Sequence, residues 1–157
     1  MNIRIPTSND LSAIKCVLQD TDLFPPALLD EMIEPFLNGS ESQEQWLVCE
    51  SDDAGVIGFT YTRPEPFADG AWNLLAIGVR AAQQGKGYGA RLLAEVEQAL
   101  EGERILIVET SGSDDFEATR VFYEGCGYTR EATIRDYWAD GDDKVIYWKS
   151  LEASARA

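Results

Sequence analysis

The sequence predicts one α+β domain that spans residues 1–157. The chain has 157 residues, of which 45% are hydrophobic, and this length can close one core. Segments with apolar residues at helical spacing are separated by short runs typical of strands. No internal repeat, low-complexity tract or linker divides the chain. We therefore place the folded core at about 2–150 and a frayed tail at 152–157.

Four helices are predicted from apolar residues spaced three or four apart. The first follows Thr7-Ser8-Asn9-Asp10, which resembles a capping box. The second begins after Pro25-Pro26 and ends at Asn38-Gly39, because proline fits a first helical turn and glycine favours a stop. The third covers 87–100, and the fourth begins at Asp114 and ends at Gly125 or Gly127.

Short apolar or alternating runs predict seven strands between these helices. They cover 2–6, 46–50, 56–61, 72–79, 105–108, 129–137 and 144–149. The runs at 72–79 and 105–108 are nearly all apolar, which is typical of strands buried on both faces. Turns at 52–55 and 139–143 indicate two hairpins.

The net charge of the chain limits the classes of partner that it can bind. Lys and Arg number 13 against 28 Asp and Glu, and the formal net charge is −15. Such a field repels phosphate backbones, so we expect no nucleic-acid partner. Attraction of a cationic amine and simple solubility both stay open as interpretations. Without an apolar run of membrane-spanning or signal-peptide length, the sequence predicts no membrane partner and a soluble, cytoplasmic protein.

The chain contains no histidine. This excludes Ser-His-Asp and Cys-His catalysis and His-ligated zinc sites, so Glu, Asp, Tyr, Lys, Cys or water must supply any acid–base chemistry. Residues 136–147 faintly resemble a calcium loop, but Trp138 and Tyr147 occupy ligand positions. The sequence therefore predicts no metal site.

The most informative segment joins the strand ending at Val79 to the helix that follows. It contains Gly85, Gly87 and Gly89, which allow a ligand to approach the backbone closely. Free N–H groups and the positive end of the helix dipole favour an anion here, above all a pyrophosphate. Lys86 and Arg91, with Arg80 upstream, add positive charge in an acidic protein. The plain alternative is a core strand followed by a tight turn.

Two other phosphate-binding motifs fit this segment less well. A P-loop requires a Lys-Ser or Lys-Thr pair, which is missing. Gly85-x-Gly87-x-x-Ala90 fits a loose dinucleotide fingerprint, with Glu109 at about the expected distance. However, five residues separate Val79 from Gly85, and too little chain follows for the remaining βαβ units. An NAD-type oxidoreductase is therefore the weaker alternative.

Two motifs give the chain a family resemblance over about residues 2–150. Gln84-Gly85-Lys86-Gly87-Tyr88-Gly89 resembles the Gln/Arg-x-x-Gly-x-Gly/Ala signature of the GNAT superfamily of acyl-CoA-dependent N-acyltransferases. Thr119 to Tyr128 is similar to the helix end and strand start of that family. The resemblance implies a mixed, mostly antiparallel twisted sheet with splayed central strands and about four flanking helices.

The resemblance also implies a cosubstrate and its binding residues. Acetyl-CoA would donate an acetyl group to a primary amine on a small molecule or a peptide. The pantetheine arm would bind the backbone of Ile77, Gly78 and Val79. The pyrophosphate would bind backbone N–H groups of Gln84, Gly85, Lys86, Gly87, Tyr88, Gly89 and Ala90.

Two catalytic residues follow from the same resemblance. Tyr123 matches the tyrosine that protonates the departing thiolate, although an aromatic packed on the helix face is the alternative. The strand at 72–77 lacks the glutamate that often acts as base, so Glu109 is the substitute, with a structural role or a water chain as alternatives. Phe116 replaces an asparagine that often touches the cofactor. A ping-pong reaction through Cys126 is disfavoured against direct transfer, because apolar neighbours disfavour a thiolate.

The acceptor site is the least defined part of the sequence. Glu65, Asp136 and Tyr137 are candidates for its walls. A non-catalytic acyl-CoA sensor is the main alternative to an enzyme, and homodimer formation stays open.

Overall fold

The computed structural model describes residues 1–152 and contains all the predicted strands and helices. The strands are β1 (Asn2–Arg4), β2 (Gln45–Ser51), β3 (Gly55–Pro64), β4 (Ala71–Val79), β5 (Ile105–Ser111), β6 (Thr129–Ala139) and β7 (Asp142–Ser150). The α-helices are α1 (Leu11–Thr21), α2 (Leu29–Leu37), α3 (Tyr88–Ala99) and α4 (Glu117–Gly125). From residue 153 onward, the predicted frayed tail lies outside the described residues. The prediction of a single domain over 1–157 stays a prediction.

The predicted α+β class is confirmed. Among the described residues the strands follow the order β1-β2-β3-β4-β5-β7-β6 in a seven-stranded sheet. β4 and β5 pair in parallel, whereas β1–β2, β2–β3, β5–β7 and β6–β7 pair antiparallel. The sheet is therefore mixed and mostly antiparallel.

The chain divides into two compact units, and the first contains residues 1–63 and 75–99. α1 and α2 contribute Ile14, Leu18 and Ile33 to a buried cluster with Trp46 and Phe59 of β2 and β3. A second cluster contains Cys49 of β2, Ile57 of β3 and Leu92 of α3, and the six consecutive β3 residues 57–62 are all buried. Because side chains alternate between the two faces of a strand, β2 and β3 bury both faces.

The second unit contains residues 64–74 and the chain from Leu100 onward. The first half of β4, Ala71–Leu74, pairs in parallel with Ile105–Val108 of β5. β5 pairs along its whole length with β7. Burial of Leu106 and Val108 on β5 follows the alternation of a strand.

The hairpin of β6 and β7 is longer than its sequence predicts. β6 extends to Ala139 and β7 starts at Asp142, whereas strands were expected at 129–137 and 144–149. The register shifts between Arg130 and Ala132 and again between Ile134 and Ala139. Such bulges insert unpaired residues without ending the ladder, so the turn at the tip is shorter than the expected turn at 139–143.

β1 is shorter than the predicted strand at 2–6 because the chain turns into α1. The backbone N–H of Thr7 donates to Asp10 Oδ2 at 2.7 Å, which matches the predicted capping box. Arg4 forms ion pairs at 2.8 Å with both Asp10 and Glu50. No helix among residues 1–152 has the length and hydropathy needed to cross a membrane.

Candidate functional site

The segment 80–87, which we call the glycine loop, connects β4 to α3. Gly85 and Gly87 have φ angles of +76° and +90°, which favour glycine. A Cβ atom added at either position would meet no atom within 4 Å. Glycine is therefore required by backbone conformation, and the space beside the backbone is open to a ligand.

The N-terminus of α3 follows directly. Tyr88, Gly89 and Ala90 form its first turn, which contains no acidic side chain. The first N–H groups of an α-helix have no partner within the helix and carry the positive end of its dipole. Together with the left-handed glycines, this turn has the chemistry of an anion site.

Side-chain contacts fasten the glycine loop. Asp20, near the end of α1, accepts hydrogen bonds from Arg80 Nε at 2.6 Å and from the backbone N–H of Ala81 at 2.9 Å. These two bonds, the one from Ala81 foremost, hold the pKa of Asp20 below its usual value. Gln84 Nε2 donates to the carbonyl of Val79 at 3.0 Å. Arg80 is thus an anchor for the loop.

The second half of β4 contains Ile77, Gly78 and Val79. A Cβ atom on Gly78 would lie 2.9 Å from Leu23 Cδ1 and 3.1 Å from Val17 Cγ1. Side chains of α1 and of the segment after it therefore approach Gly78 closely. Packing alone explains this glycine, so it is no independent sign of a ligand.

Tyr123 of α4 lies in an aromatic cluster. Its side chain is 4% exposed. Its ring centroid is 6.0 Å from that of Tyr128 and 5.7 Å from that of Tyr147. Burial raises the pKa of Tyr123 well above its ordinary value, so the phenol stays protonated at neutral pH.

Glu109 of β5 belongs to a group that we call the carboxylate cluster: Glu65, Asn73, Glu109 and Lys144. Asn73 Nδ2 donates to Glu65 Oε1 at 2.8 Å and to Glu109 Oε1 at 3.2 Å. Lys144 Nζ lies 2.8 Å from Glu109 Oε2. The amide of Asn73 thus bridges two carboxylates, and the ammonium of Lys144 neutralises that of Glu109.

Lys144 is the buried cation of this cluster. Its Nζ atom lies 4.1 Å from the centroid of the Tyr137 ring, within the range of a cation–π contact. Burial lowers the pKa of Lys144, but hydrogen bonding and attraction by Glu109 outweigh burial and leave the pKa raised. Lys144 therefore stays an ammonium at neutral pH.

Asp136 is engaged within its own hairpin. Its Oδ1 atom accepts a hydrogen bond from the backbone N–H of Gly141 at 2.8 Å, and its own N–H donates to Asp143 Oδ1 at 3.0 Å. Its φ angle is +53°, which belongs to the left-handed region. Within residues 1–152, no group of three or more potential metal-ligating side chains comes together.

The structure joins three of the predicted residues. Glu65, Glu109 and Tyr137 are linked through Asn73 and Lys144, all in the second unit, which also contains Tyr123 and Asp136. The predicted pantetheine and pyrophosphate residues lie in the first unit. Sequence reasoning missed Asn73 and Lys144. Asn73 had a signal, since it is an amide within the otherwise apolar run 72–79.

A family comparison matches the central part of the chain. The model of the family described as "Acetyltransferase (GNAT) domain" matches residues 42–130, which include the glycine loop, Glu109 and Tyr123. A search of the curated proteins by sequence finds no match. The family match decides against the dinucleotide-binding alternative.

Solved structures are similar to the chain over nearly its whole length. A protein assigned to the GNAT family of acetyltransferases from Desulfovibrio desulfuricans is 29% identical, with a TM-score of 0.87 over 96% of this chain and 98% of that one. The ribosomal-protein-S18-alanine N-acetyltransferase of Escherichia coli is 20% identical, with a TM-score of 0.75 over 96% and 93%. An aminoglycoside 6'-N-acetyltransferase complexed with coenzyme A is 16% identical, with a TM-score of 0.77 over 96% and 97%.

Proposed function

Because the chain belongs to the GNAT family of acetyltransferases, we propose that it moves the acetyl group of acetyl-CoA to a primary amine by direct transfer. The observation that carries this proposal is the glycine loop, with Gly85 and Gly87 at positive φ before the N-terminus of α3. Family membership identifies an acetyltransferase, and the loop indicates where its donor binds.

The residues of the glycine loop fit a pyrophosphate. The two left-handed glycines leave open space that a Cβ atom would occupy, and the backbone N–H groups of 84–90 would supply the hydrogen bonds. Ile77, Gly78 and Val79 would bind the pantetheine arm through their backbone. They lie beyond Ala71–Leu74, the residues of β4 that pair with β5. Acetyl-CoA supplies a thioester whose carbonyl carbon is open to attack by an amine.

Tyr123 is the proposed hydrogen-bond donor to the departing thiolate. Its raised pKa keeps the phenol protonated, whereas an ordinary thiol has a pKa of about 8.5. A phenol that remains protonated can stabilise a thiolate by donating a hydrogen bond to it. Stabilisation by donation, more than complete proton transfer, is therefore the role that this tyrosine suits.

Glu109 is the proposed base. A primary amine reaches the enzyme as an ammonium and must lose a proton before its lone pair can attack the thioester. Glu109 Oε2 lies 2.8 Å from Lys144 Nζ and Glu109 Oε1 accepts a hydrogen bond from Asn73, and a carboxylate oxygen of this side chain would accept that proton. Water can then carry the proton to solvent.

The acceptor is an amine whose identity the fold leaves open. Proteins with similar structures are named for acetylating an aminoglycoside, an alanine of a ribosomal protein and spermidine. We place Glu65 and Tyr137 at the acceptor site with Asp136 at its border. A cytoplasmic location is part of the same proposal, since Cys16 and Cys49 are thiols, as is usual in a reducing compartment.

Calorimetric titration with acetyl-CoA tests the donor site, with NADH as the control. We expect saturable binding of acetyl-CoA and no binding of NADH. Release of free thiol from acetyl-CoA in the presence of primary amines then tests turnover. Binding without thiol release for every amine would favour an acyl-CoA sensor over an enzyme.

A further inference from the structure

Asn73 is an amide in the buried part of β4. Its side chain is 3% exposed, and its Oδ1 atom is buried without a hydrogen-bond partner among the described residues. Burying an acceptor without a donor costs folding free energy. Trp46 Nε1 and Thr60 Oγ1 are also buried without a partner in the described part of the chain, but Asn73 Oδ1 differs because its amide contacts two carboxylates, where a ligand can supply the missing donor.

The neighbours of Asn73 define how its amide is oriented. Nδ2 points at Glu65 Oε1 and Glu109 Oε1, at 2.8 and 3.2 Å. The reversed amide would place Oδ1 against two carboxylate oxygens, so three acceptors would face one another. Asn73 therefore holds the two carboxylates together with its N–H groups and keeps Oδ1 as an unused acceptor.

The charges of the cluster do not balance. Lys144 is ion-paired with Glu109 at 2.8 Å. Within residues 1–152, Glu65 has no cationic group in ion-pair distance, and its carboxylate accepts a hydrogen bond from the neutral amide of Asn73. Two carboxylates and one ammonium leave one negative charge. A second ammonium would complete the cluster.

The cluster already binds one ammonium, that of Lys144, between Glu109 and the ring of Tyr137. A primary ammonium has three N–H donors. Glu65, Glu109 and Asn73 Oδ1 are three acceptors, and the ring of Tyr137, which contacts Lys144, is 50% exposed beside them. Number, charge and neighbouring surface all match a protonated primary amine.

We propose that Glu65, Asn73 and Glu109 form the binding site for the acceptor's ammonium group, with Asn73 as the residue that positions both carboxylates. This inference rests on the proposed function and narrows its acceptor to amines that bind as cations. Glu65 then holds the charge of the acceptor, while Glu109 receives the proton. Lys144 stays ion-paired with Glu109 Oε2.

Steady-state kinetics of two variants test the site. Thiol release from acetyl-CoA is measured with 1,4-diaminobutane, tyramine, glucosamine and an alanine-terminated tetrapeptide, and the best acceptor is carried forward. We expect Asn73→Ala and Glu65→Gln each to raise the KM of that acceptor about tenfold, since the first removes a hydrogen bond to a charged group and the second removes the negative charge that attracts the ammonium. The KM of acetyl-CoA stays unchanged.

Asn2→Ala is the matched control. Asn2 Nδ2 donates to Glu50 Oε2 at 3.3 Å, so this variant removes the same type of amide–carboxylate contact elsewhere on the sheet. It leaves both KM values unchanged. In the double variant Asn73→Ala/Glu65→Gln, the acceptor KM rises by less than the product of the single effects, because part of the effect of Asn73 is to position Glu65.

Different results overturn different parts of the proposal. An unchanged acceptor KM in both single variants, or an equal rise in the KM of acetyl-CoA, overturns the ammonium site and leaves the proposed function standing. Independent effects in the double variant overturn the positioning role of Asn73. A wild-type protein that binds no acetyl-CoA, or releases no thiol with any of the four amines, overturns the proposed function and the ammonium site with it.

Discussion

The glycine loop is built from backbone, whereas the carboxylate cluster is built from side chains. Gly85 and Gly87 shape the loop by their positive φ angles and face open space. The cluster gathers two carboxylates, an amide and an ammonium, of which Asn73 and Lys144 are buried. A change of conformation should therefore damage the loop, and a change of charge should damage the cluster. Substitutions in the two regions should thus affect different kinetic constants.

The largest effect is expected for Glu109→Gln. Glutamine keeps the shape of the side chain but cannot take the proton of the acceptor. We expect kcat to fall by about a hundredfold or more, the usual contribution of a general base. The affinity for acetyl-CoA, measured by calorimetry, stays unchanged.

A double variant separates the chemistry of Glu109 from its structural role. Glu109→Gln leaves the ammonium of Lys144 buried without its counter-charge, so Tm falls as well. Lys144→Met/Glu109→Gln removes both charges and recovers Tm. Recovery of kcat together with Tm would show that Glu109 is structural and would assign the base elsewhere.

Gly87→Ala strains the backbone of the glycine loop. The φ angle of +90° disfavours alanine, although its Cβ atom would meet no neighbour. We expect the Kd for acetyl-CoA to rise about tenfold, because backbone strain of this kind costs about 1–3 kcal/mol. The KM of the acceptor stays unchanged.

Gly102→Ala is the matched control for this variant. Gly102 has a φ angle of +95° and equally open surroundings, but it follows α3 rather than preceding it. Its replacement lowers Tm as Gly87→Ala does and leaves acetyl-CoA binding intact. If both variants weaken acetyl-CoA binding equally, the loop has no special part in the donor site.

Tyr123→Phe is expected to lower kcat about tenfold, the value of one hydrogen bond to a charged group. The ring stays packed against Tyr128 and Tyr147, so Tm changes little. Tyr147→Phe is the control, because its hydroxyl donates to Glu124 at 2.9 Å in the same aromatic cluster. Equal losses of kcat in both variants would reduce Tyr123 to a packing residue.

The fold was predictable because its elements have local signals. The helix α1 and the turn before Gly55 can each be predicted from residues that are close together in the sequence. The limits of β6 could not be predicted from sequence, because its length depends on bulges in its pairing with β7. A bulge reflects the pairing of two strands and leaves no mark at a fixed spacing in either one.

The glycine loop and the carboxylate cluster also differ in how far each can be predicted from local sequence. The glycine loop occupies one segment, so residue spacing alone reveals it. Lys144 approaches Glu109 only because β5 and β7 pair, across 35 positions of sequence, and Asn73 is 36 positions from Glu109. At Gly78 a sequence reading cannot tell a ligand from a packed side chain. The structure identifies Leu23 and Val17 as the close neighbours.

The smallest effect is expected for Asp20→Asn, which loosens the glycine loop without touching its glycines. The ion pair with Arg80 is partly exposed, with 24% and 41% of the two side chains accessible, so its loss should raise the KM of acetyl-CoA only about threefold. Asp30→Asn, which breaks the exposed pair with Lys15, is the control and leaves that KM unchanged. An effect as large as that of Gly87→Ala would show that side-chain anchoring, and not glycine conformation, sets the loop.

Acid should reproduce the effect of Asp20→Asn in the wild-type protein. The folded pKa of Asp20 is lowered by Ala81 and Arg80, so its contacts are complete above the unfolded value of about 3.9 and are lost as the pH falls through the lower folded value. Acetyl-CoA affinity of the wild type and of Asp20→Asn should therefore converge at the acidic end of a calorimetric pH series and differ at neutral pH. A constant difference across the series would mean that the charge of Asp20 has no part in holding the loop, and that its geometry alone does.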